Sequence, residues 1–411
     1  MEKRSFIFIK CGMGLGGIET YLIKFIKWLN KNKIRVIFIM LEGTDIAESF
    51  KETLSSSNIE IYNLNIHKKG WNKTLKIKNE KNETFLAYAF SLYQFALLQK
   101  IILENKLTAD SFYWIPHFAE GVFVENEFGF FKDIVRKYFA ILFRKMENNN
   151  NIIYVNKSHG EAFEENYKFK INNLKDKILN VSPNIVLPFD EIGIKLKSKR
   201  EKFNIITVTR FVFPHKNYLL GLIDSYSFLK NKYPQLTLTI IGYGEDQDIV
   251  LKKINNLKEE IKKDIFLIGK VEYSELNKYF RASHVNIGVA STICDGAICS
   301  VVSIPARHYS EICEGYGYLP ESKEDIVSSR KGVPIEAYIE ELITMDKDQY
   351  ISLCKASYDT FANLDIEKIW KEALYNRNIN NKLFISKFFI FLVYMRYILV
   401  DKIRFLIKVK K

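Results

Sequence analysis

Strand-like and helix-like segments alternate along most of this chain, and the alternation stops once and then starts again. Short apolar runs rich in β-branched residues predict strands, and apolar residues three or four apart predict the helices between them. Such alternation is typical of a mostly parallel sheet with helices on both faces. The predicted strands are Ser5–Lys10, Arg35–Met40, Ser111–Ile115 and Asn151–Asn156 in the first series, and Phe203–Thr209, Leu236–Ile241, Ile265–Gly269 and Val285–Val289 in the second.

Residues 183–203 separate the two series. This segment holds two prolines followed by a cationic run, and we interpret it as a domain linker. The chain has 411 residues, more than one hydrophobic core usually holds. We expect residues 1–190 and 191–365 to form two Rossmann-like α/β domains, followed by a crossover helix and tail over 366–411. Ligands of such sheets bind beyond the carboxyl ends of the strands, where we expect the site residues.

Composition excludes several classes of protein. The chain is 47% hydrophobic and 27% charged, which excludes wholesale disorder, a collagen-like repeat and a polytopic membrane protein. The uncharged stretch 84–99 is short for a membrane span and predicts a buried helix. A four-residue apolar run near the N-terminus is too short for a secretory signal. The five scattered cysteines predict reduced thiols in a cytosolic chain.

Positive charge is concentrated at the C-terminus. The formal net charge is +13, and residues 382–411 hold eight Lys or Arg and one Asp, a net charge of +7. Aromatic and basic residues are interleaved in this tail, which suits an anionic membrane surface. A helix packed back on the first domain is the alternative. A nucleic-acid binder would also explain the charge, but neither tail nor core carries a nucleic-acid-binding signature.

A glycine-rich loop follows the first predicted strand. Residues 12–17 read Gly-Met-Gly-Leu-Gly-Gly and open a helix, so the backbone can approach a phosphate or sugar closely. The loop also matches the dinucleotide-binding pattern, which would need an acid after the second strand, and Glu42 is the candidate. A tight turn between strand and helix is the alternative. Glu19 in the first helical turn either contacts substrate or favours the helix N-terminus.

Two cations follow the first strand of the second series. Arg210 ends that strand, and Lys216 lies six residues later, just before a predicted helix. Fixed cations beside free helix N–H groups suit a diphosphate, whose negative charge increases when the group it carries departs. The sequence shows no acidic metal cluster, so we expect no metal and no cofactor. A solvated arginine and lysine near a loop is the alternative.

Five further segments follow one another along the chain: GGIETYL at Gly16–Leu22, VTRFVFPHKN at Val208–Asn217, IIGYGED at Ile240–Asp246, FLIGKV at Phe266–Val271 and ASTICDGAICSVVSIPA at Ala290–Ala306. Their order and spacing resemble those of family-4-type glycosyltransferases of the GT-B architecture. The resemblance covers roughly residues 5–375 and implies two Rossmann-like domains facing one cleft, plus a basic C-terminal helical tail.

The resemblance also implies roles for individual residues. Family members bind a nucleotide-sugar mainly through the second domain and the acceptor mainly through the first, so Arg210 and Lys216 would hold the donor diphosphate. His117, after the strand SFYWIP, matches a histidine that contacts the transferred sugar, with a packed or surface histidine as the alternative. The remaining positions expected to bind substrate are Gly16, Gly17 and Glu19 in the first domain, and Gly242, Gly244, Lys270, Gly296 and Ser303 in the second.

One motif departs from the family pattern. Members carry two glutamates separated by seven residues, the first near the sugar and phosphates and the second on the ribose. Here the first aligns with Asp295, which we expect to be catalytic, and the second falls on Ser303. Aspartate keeps the carboxylate at a shorter reach, whereas serine loses the charge-assisted hydrogen bond. Ser303 either contacts the ribose or packs in the interior.

The resemblance therefore implies a retaining glycosyltransferase that takes a sugar from a nucleotide diphosphate donor. The acceptor is expected to be a hydroxyl of a glycan or lipid-linked chain in surface polysaccharide biosynthesis, and the protein is expected in the cytoplasm at the inner membrane surface. An inactive sugar-binding or scaffold protein would explain the serine at position 303. A nicotinamide oxidoreductase is a further alternative.

Overall fold

The computed structural model describes residues 3–10, 12–13, 16–41, 46–64, 75–115, 132–179, 181–183, 187–199, 201–328 and 330–375, together with residues 390 and 393. The described residues form two compact units. The N-terminal unit takes those of Met1–Asn180 and of Ile366–Lys411, and the C-terminal unit takes those of Val181–Asp365. The chain therefore leaves the first unit, forms the second and returns to the first.

The N-terminal unit contains a six-stranded parallel sheet in the order β3-β2-β1-β4-β5-β6. This is the strand order of a dinucleotide-binding Rossmann sheet. The strands are β1 (Lys3–Lys10), β2 (Val36–Leu41), β3 (Ile59–Leu64), β4 (Glu83–Ala89), β5 (Ala109–Ile115) and β6 (Ile152–Tyr154).

Both faces of this sheet are buried. Ile7 and Ile9 of β1 belong to one apolar cluster, and Phe6 and Phe8 belong to another. Because successive side chains of a strand point to opposite faces, helices must cover both sides of the sheet. The helices are α1 (Gly17–Lys31), α2 (Glu48–Leu54), α3 (Leu92–Glu104), α4 (Lys132–Asn148) and α5 (Lys157–Tyr167).

The C-terminal unit contains a five-stranded parallel sheet in the order β11-β10-β7-β8-β9 and a short antiparallel pair, β12 with β13. Its strands are β7 (Phe203–Val208), β8 (Leu236–Ile241), β9 (Ile265–Gly269), β10 (Val285–Gly288), β11 (Val302–Pro305), β12 (Glu314–Gly315) and β13 (Val333–Pro334). Its helices are α6 (Glu191–Lys197), α7 (Tyr218–Lys232), α8 (Gln247–Asn255), α9 (Glu259–Lys262), α10 (Leu276–Arg281), α11 (Ser291–Ile298), α12 (Ile335–Thr344) and α13 (Lys347–Ala362).

The returning segment packs into the N-terminal unit. It forms α14 (Ile366–Trp370) and a π-helical turn over Lys371–Tyr375. The Trp370 ring meets the Tyr21 ring edge to face, with 6.1 Å between centroids. The hydroxyl of Tyr88 donates to the Leu374 carbonyl oxygen at 2.8 Å. The segment therefore completes the apolar layer over one face of the six-stranded sheet.

Two residues of the basic tail are described, and both are buried. Ile390 and Val393 lie in the apolar cluster that also contains Phe139 and Phe143 of α4. The described part of the tail is therefore packed on the N-terminal unit, as the alternative interpretation of the tail expected. The other residues of 382–411 lie outside the described residues.

The prediction of two Rossmann-like sheets is confirmed, but one local prediction is wrong. Residues 84–99 are not one helix, because β4 occupies the first part and α3 begins at Leu92. Strand β4 pairs with both β1 and β5, and a strand buried on both faces has a continuous apolar sequence like that of a buried helix. Ser91 separates them by capping α3. The predicted linker, residues 183–203, begins just after the boundary between the two units and contains the helix α6, and its role as a linker stays a prediction.

None of the described helices combines the length and apolar character needed to cross a lipid bilayer. Four of the cysteines lie in the described ranges, and all four are buried free thiols: Cys294, Cys299, Cys313 and Cys354.

Candidate functional site

The strand order of the C-terminal unit reverses at the carboxyl end of β7, which lies between β8 and β10. Open α/β sheets bind ligands at such points. Arg210 follows β7 and is exposed, whereas Lys216 lies half-buried in the turns before α7. Both cations expected to hold the diphosphate therefore lie at the edge where ligands of this fold class bind.

Lys216 and Arg210 are near enough to interact electrostatically. Burial, together with the positive charge of Arg210, lowers the pKa of Lys216 to about 7. Within the described part of the chain, neither side chain forms an ion pair with a carboxylate. Two neighbouring cations that repel each other are stabilised by an anion that contacts both. A diphosphate has the charge to do so.

Hydrogen bonds fix the loop that carries these cations. The Lys216 N–H donates to the Val212 carbonyl oxygen at 3.0 Å, which closes a turn. The Phe213 N–H donates to Oδ2 of Asp246 at 2.6 Å, so the acid of the IIGYGED segment holds this loop. These hydrogen bonds within the protein hold the shape of the loop, as electrostatic preorganisation requires.

A pair of histidines braces the same loop. Nε2 of His215 lies 3.0 Å from Nδ1 of His308, and the two rings stack with 5.1 Å between centroids. The Tyr309 ring lies 5.1 Å from the His215 ring, and the Tyr309 N–H donates to the His215 carbonyl oxygen. Tyr309 has a φ of 57°, in the left-handed region that costs a non-glycine residue energy. The loop after β11 therefore holds the residue that precedes Lys216.

Gly242 and Gly244 allow two loops to approach closely. A Cβ atom on Gly242 would lie 1.8 Å from the Thr209 carbonyl oxygen, and one on Gly244 would lie 2.2 Å from the Phe211 carbonyl oxygen. No other residue fits at either position without movement of the backbone. Both glycines therefore support the loop of Arg210, and this packing explains them without any substrate contact.

Lys270 lies at the carboxyl end of β9 and is exposed. Its Nζ atom lies 5.6 Å from the centroid of the Tyr243 ring, and Tyr243 follows the neighbouring strand β8. This cation–π contact holds an exposed aromatic ring at the same sheet edge as Arg210. Lys270 is among the residues predicted from the sequence to bind substrate, whereas Tyr243 is not.

Asp295 and Ser303 are both buried. Asp295 lies within α11 and accepts a hydrogen bond from the hydroxyl of Tyr273. Ser303 lies on β11, and its hydroxyl donates to the Val301 carbonyl oxygen at 3.2 Å. Because the Ser303 side chain is fully enclosed, its position favours the packing interpretation over the ribose contact. Asp295 would have to exchange its buried hydrogen bond to reach a ligand.

Gly296 belongs to the same interior packing. A Cβ atom at this position would lie 2.4 Å from Nδ2 of Asn286 and 2.9 Å from Oγ of Ser303. Helix α11 can therefore lie against β10 and β11 only if this residue has no side chain. Close packing accounts for this glycine, and contact of Gly296 with substrate stays a prediction.

In the N-terminal unit, Gly16 is the N-cap residue of α1 and Gly17 is its first residue. Glu19 forms an ion pair with Lys10, the last residue of β1, with 2.8 Å between Oε1 and Nζ. This pair joins strand to helix and favours the structural role of Glu19. His117, Glu42, Gly14 and Leu15 lie outside the described residues.

Sequence reasoning missed His308, Tyr309, Tyr243 and Tyr273. His215 and His308 are 93 positions apart, and no local pattern connects them. Tyr243 lies between Gly242 and Gly244, but the sequence does not show that its ring is exposed. Only the topology brings these side chains to one edge.

Comparison with solved structures identifies the fold. An α,α-trehalose-phosphate synthase (UDP-forming) from Burkholderia vietnamiensis matches with a TM-score of 0.57 and 9% identity, over 91% of this chain and 98% of the other. A glycosyltransferase from Rickettsia africae matches with a TM-score of 0.53 and 15% identity, over 91% and 100%. A TarM variant from S. aureus, solved with fondaparinux, α-GlcNAc-glycerol and UDP, matches with a TM-score of 0.55 and 10% identity, over 91% and 100%.

No protein-family model matches the sequence, and neither does any curated protein. The structural matches extend over nearly the whole chain, and the sheets of both units have the parallel doubly wound topology that the sequence resemblance implies. This chain has the GT-B fold of glycosyltransferases.

Proposed function

We propose that this protein is a glycosyltransferase that moves a sugar from a nucleotide diphosphate donor to a hydroxyl of a glycan or lipid-linked acceptor. Surface polysaccharide biosynthesis is the process we propose for it. The proposal rests on one observation above all, the Arg210–Lys216 pair at the carboxyl end of β7. Two neighbouring cations on a preshaped loop suit a leaving diphosphate, because that group gains negative charge as its bond to the sugar breaks.

The structural neighbours support a nucleotide-sugar donor. The trehalose-phosphate synthase is described as UDP-forming, and the TarM variant was solved with UDP. The exposed Tyr243 ring and Lys270 lie at the ends of the next two strands. We propose that they contact the donor as well, since an aromatic face and a cation suit a nucleotide.

In the proposed reaction, the acceptor hydroxyl oxygen bonds to the anomeric carbon of the donor sugar while the bond from that carbon to the diphosphate oxygen breaks. The electron pair of the broken bond stays on the diphosphate, where Arg210 and Lys216 stabilise it. The hydroxyl proton leaves with the departing phosphate. Retention of the anomeric configuration and independence from metal are proposals that follow from the family resemblance.

The purified full-length protein tests this proposal. It is mixed with sugars linked to UDP, GDP, ADP or CMP, and release of the free nucleotide is measured with and without a metal chelator. We expect turnover of one nucleotide class, unchanged by the chelator. NMR of the transferred sugar then shows whether the anomeric configuration is retained. If donors bind but no free nucleotide is released from any of them, even with acceptor glycans present, the proposal that the protein is an enzyme is contradicted.

The second candidate is an inactive sugar-binding protein of the same fold. It is favoured by the two buried residues at the positions of the family glutamates, Asp295 and Ser303. This protein would bind a nucleotide-sugar through Arg210 and Lys216 without releasing nucleotide. Tyr273→Phe separates the candidates, because it removes the hydroxyl that donates to the Asp295 carboxylate. A change in turnover would show that Asp295 takes part in the reaction.

A further inference from the structure

Strand β9 forms one edge of the five-stranded sheet, and its burial alternates along the strand. Ile265 and Leu267 pack against the apolar core of the C-terminal unit, whereas Phe266 is 46% exposed and Ile268 is 39% exposed. Because successive side chains of a strand point to opposite faces, Phe266 and Ile268 lie on the same face. This face of β9 is therefore apolar and open to solvent.

The outer edge of the same strand has backbone groups that are directed away from the sheet. The Leu238 N–H donates to the Asp264 carbonyl oxygen at 3.0 Å, and Leu238 lies opposite Ile265 in the register. In a parallel ladder a residue bonds to the two neighbours of its register partner, so the N–H and C=O groups of Ile265 point outward. Those of Leu267, opposite Ile240, do the same. Among the described strands, none pairs with this side of β9.

The sequence of β9 lacks the residues by which edge strands usually avoid association. Such strands carry charged side chains or a proline, which disfavour pairing with a further strand. The five residues of β9 are Ile-Phe-Leu-Ile-Gly and include neither. The register with β8 shifts between Leu267 and Gly269, so the strand is regular up to Leu267. An edge of this composition is suited to being covered by another strand.

The charges that flank β9 favour a second copy of this chain as its partner. Asp264 precedes the strand and Lys270 follows it, and each is three residues from Leu267. When two copies pair antiparallel about a two-fold axis at Leu267, Asp264 of one copy lies opposite Lys270 of the other. Phe266 of one copy then lies opposite Ile268 of the other on the open face. Opposite charges and apolar pairs both stabilise neighbouring strands.

Both flanking charges are accessible. Oδ2 of Asp264 lies 2.7 Å from Nζ of Lys230, and the Asp264 side chain is 29% exposed. Lys270 is exposed, and its contact with the Tyr243 ring does not neutralise its charge. Two parallel strands in register would place each of these charges beside its own copy, which is unfavourable. The charges therefore favour the antiparallel arrangement, and a two-fold axis is the commonest symmetry of homodimers.

We propose that two copies of this protein associate through β9, in an antiparallel pairing centred on Leu267. The pairing joins the two five-stranded sheets edge to edge into one continuous sheet. Phe266 and Ile268 of both copies cover one another on the face that is open in the single chain. The proposal does not depend on sugar transfer, because neither Arg210 nor Lys216 belongs to this surface.

Sedimentation equilibrium of the full-length protein tests the association. A pairing of single strands buries little surface, so we expect monomer and dimer to exchange between about 1 μM and about 100 μM protein. Phe266→Lys combined with Ile268→Lys places like charges opposite one another and should keep the protein monomeric. Phe228→Lys is the control, because Phe228 is 66% exposed on α7 of the same unit, and it should dimerise like the unchanged protein.

Two outcomes of this experiment would overturn the proposal. One is that the unchanged protein is a monomer at every concentration. The other is that the double lysine variant still dimerises while circular dichroism shows it to be folded.

Single cysteines test the register of the pairing. Leu267→Cys would lie opposite its own copy, with about 5.5 Å between Cα atoms, which a disulfide can span. Phe266→Cys is the matched variant, because it lies diagonal to its own copy at about 7–8 Å, beyond the usual reach of a disulfide. After mild oxidation, a non-reducing gel should show linked chains for Leu267→Cys in excess of those for Phe266→Cys and for the unchanged protein. No such excess would overturn the proposed pairing.

Discussion

Nε2 of His215 lies 3.0 Å from Nδ1 of His308, and this contact joins the loop after β7 to the loop after β11. One nitrogen must donate and the other accept, so the pair fixes the relative position of the two loops. His215 directly precedes Lys216, and a shift of the histidine would therefore move the cation. This hydrogen bond connects the geometry of the proposed diphosphate site to a residue that need not touch the ligand.

Removing the hydrogen bond while keeping the ring tests this connection. His308→Phe retains an aromatic ring beside His215 but has no nitrogen. We expect nucleotide-sugar affinity to fall about fivefold to tenfold, since a net contribution of roughly 1 kcal/mol is typical for such a bond. Calorimetry measures the affinity, and His308→Asn, which can still accept, should lose less. Equal affinity of the unchanged protein and His308→Phe would show that the pair does not position Lys216.

Losing the cations themselves should have a larger effect. Arg210→Ala or Lys216→Ala should lower turnover about a hundredfold, as loss of a preorganised charged contact commonly does. Thermal unfolding should change little, because neither side chain lies in an apolar cluster. Lys252→Ala on α8 is the matched control, since Lys252 is exposed. Near-normal turnover by a variant that carries both Arg210→Ala and Lys216→Ala would contradict the assignment of the diphosphate site.

Affinity for a nucleotide-sugar should depend on pH through Lys216. Burial and the Arg210 charge lower its pKa to about 7, so the free protein carries the ammonium below pH 7 and loses it as the pH rises through 7. A bound diphosphate favours the ammonium and raises this pKa again. Affinity should therefore be highest below pH 7 and fall above it, with uptake of protons on binding.

Calorimetry in buffers of different ionisation enthalpy measures that proton uptake. A nucleotide-sugar is the right ligand, because a free nucleotide has a terminal phosphate that itself titrates near pH 6. Lys216→Met is the control and should bind weakly with much less pH dependence. Proton release on binding to the unchanged protein would have the opposite sign and would contradict the prediction.

Ser303→Glu distinguishes packing from ribose contact. The Ser303 hydroxyl is enclosed near Gly296 and Asn286, so a glutamate there would bury a charge without a partner. We expect the free energy of unfolding to fall by about 3 kcal/mol or more and nucleotide affinity to stay unimproved. Ser303→Ala, which adds no charge, should cost much less. If the Ser303→Glu variant is stable and binds nucleotide more tightly, the packing interpretation is contradicted and position 303 contacts the ribose.

Gly244→Ala should destabilise the C-terminal unit. The added Cβ would lie 2.2 Å from the Phe211 carbonyl oxygen, and backbone cannot yield as a side chain can. A loss of about 1–3 kcal/mol is typical of such overpacking, and denaturant unfolding would measure it. The loop of Arg210 should move as well, which would weaken nucleotide binding. Unchanged stability would show that the two loops are not packed this closely.

The sequence predicted both sheets because each strand is a short apolar run with a helical pattern after it. It failed at residues 84–99 because β4 is buried on both faces and lacks the alternation that distinguishes a strand. Arg210 and Lys216 could be selected because the chain order alone places them after β7. His308 and the burial of Ser303 depend on which strands become neighbours, and a single sequence does not contain that information.

The return of the chain to the N-terminal unit has a consequence for synthesis on the ribosome. Trp370 and Leu374 are buried in a cluster with residues of β1 and α1, yet they are translated after the whole C-terminal unit. Part of one apolar face of the N-terminal sheet therefore stays uncovered while about half of the chain is still being synthesised, because the segment that covers it is made last. The C-terminal unit is contiguous in sequence and can close without waiting for a distant segment. Nascent chains that end before α14 should consequently bind chaperones through the first unit, even though that unit is synthesised first.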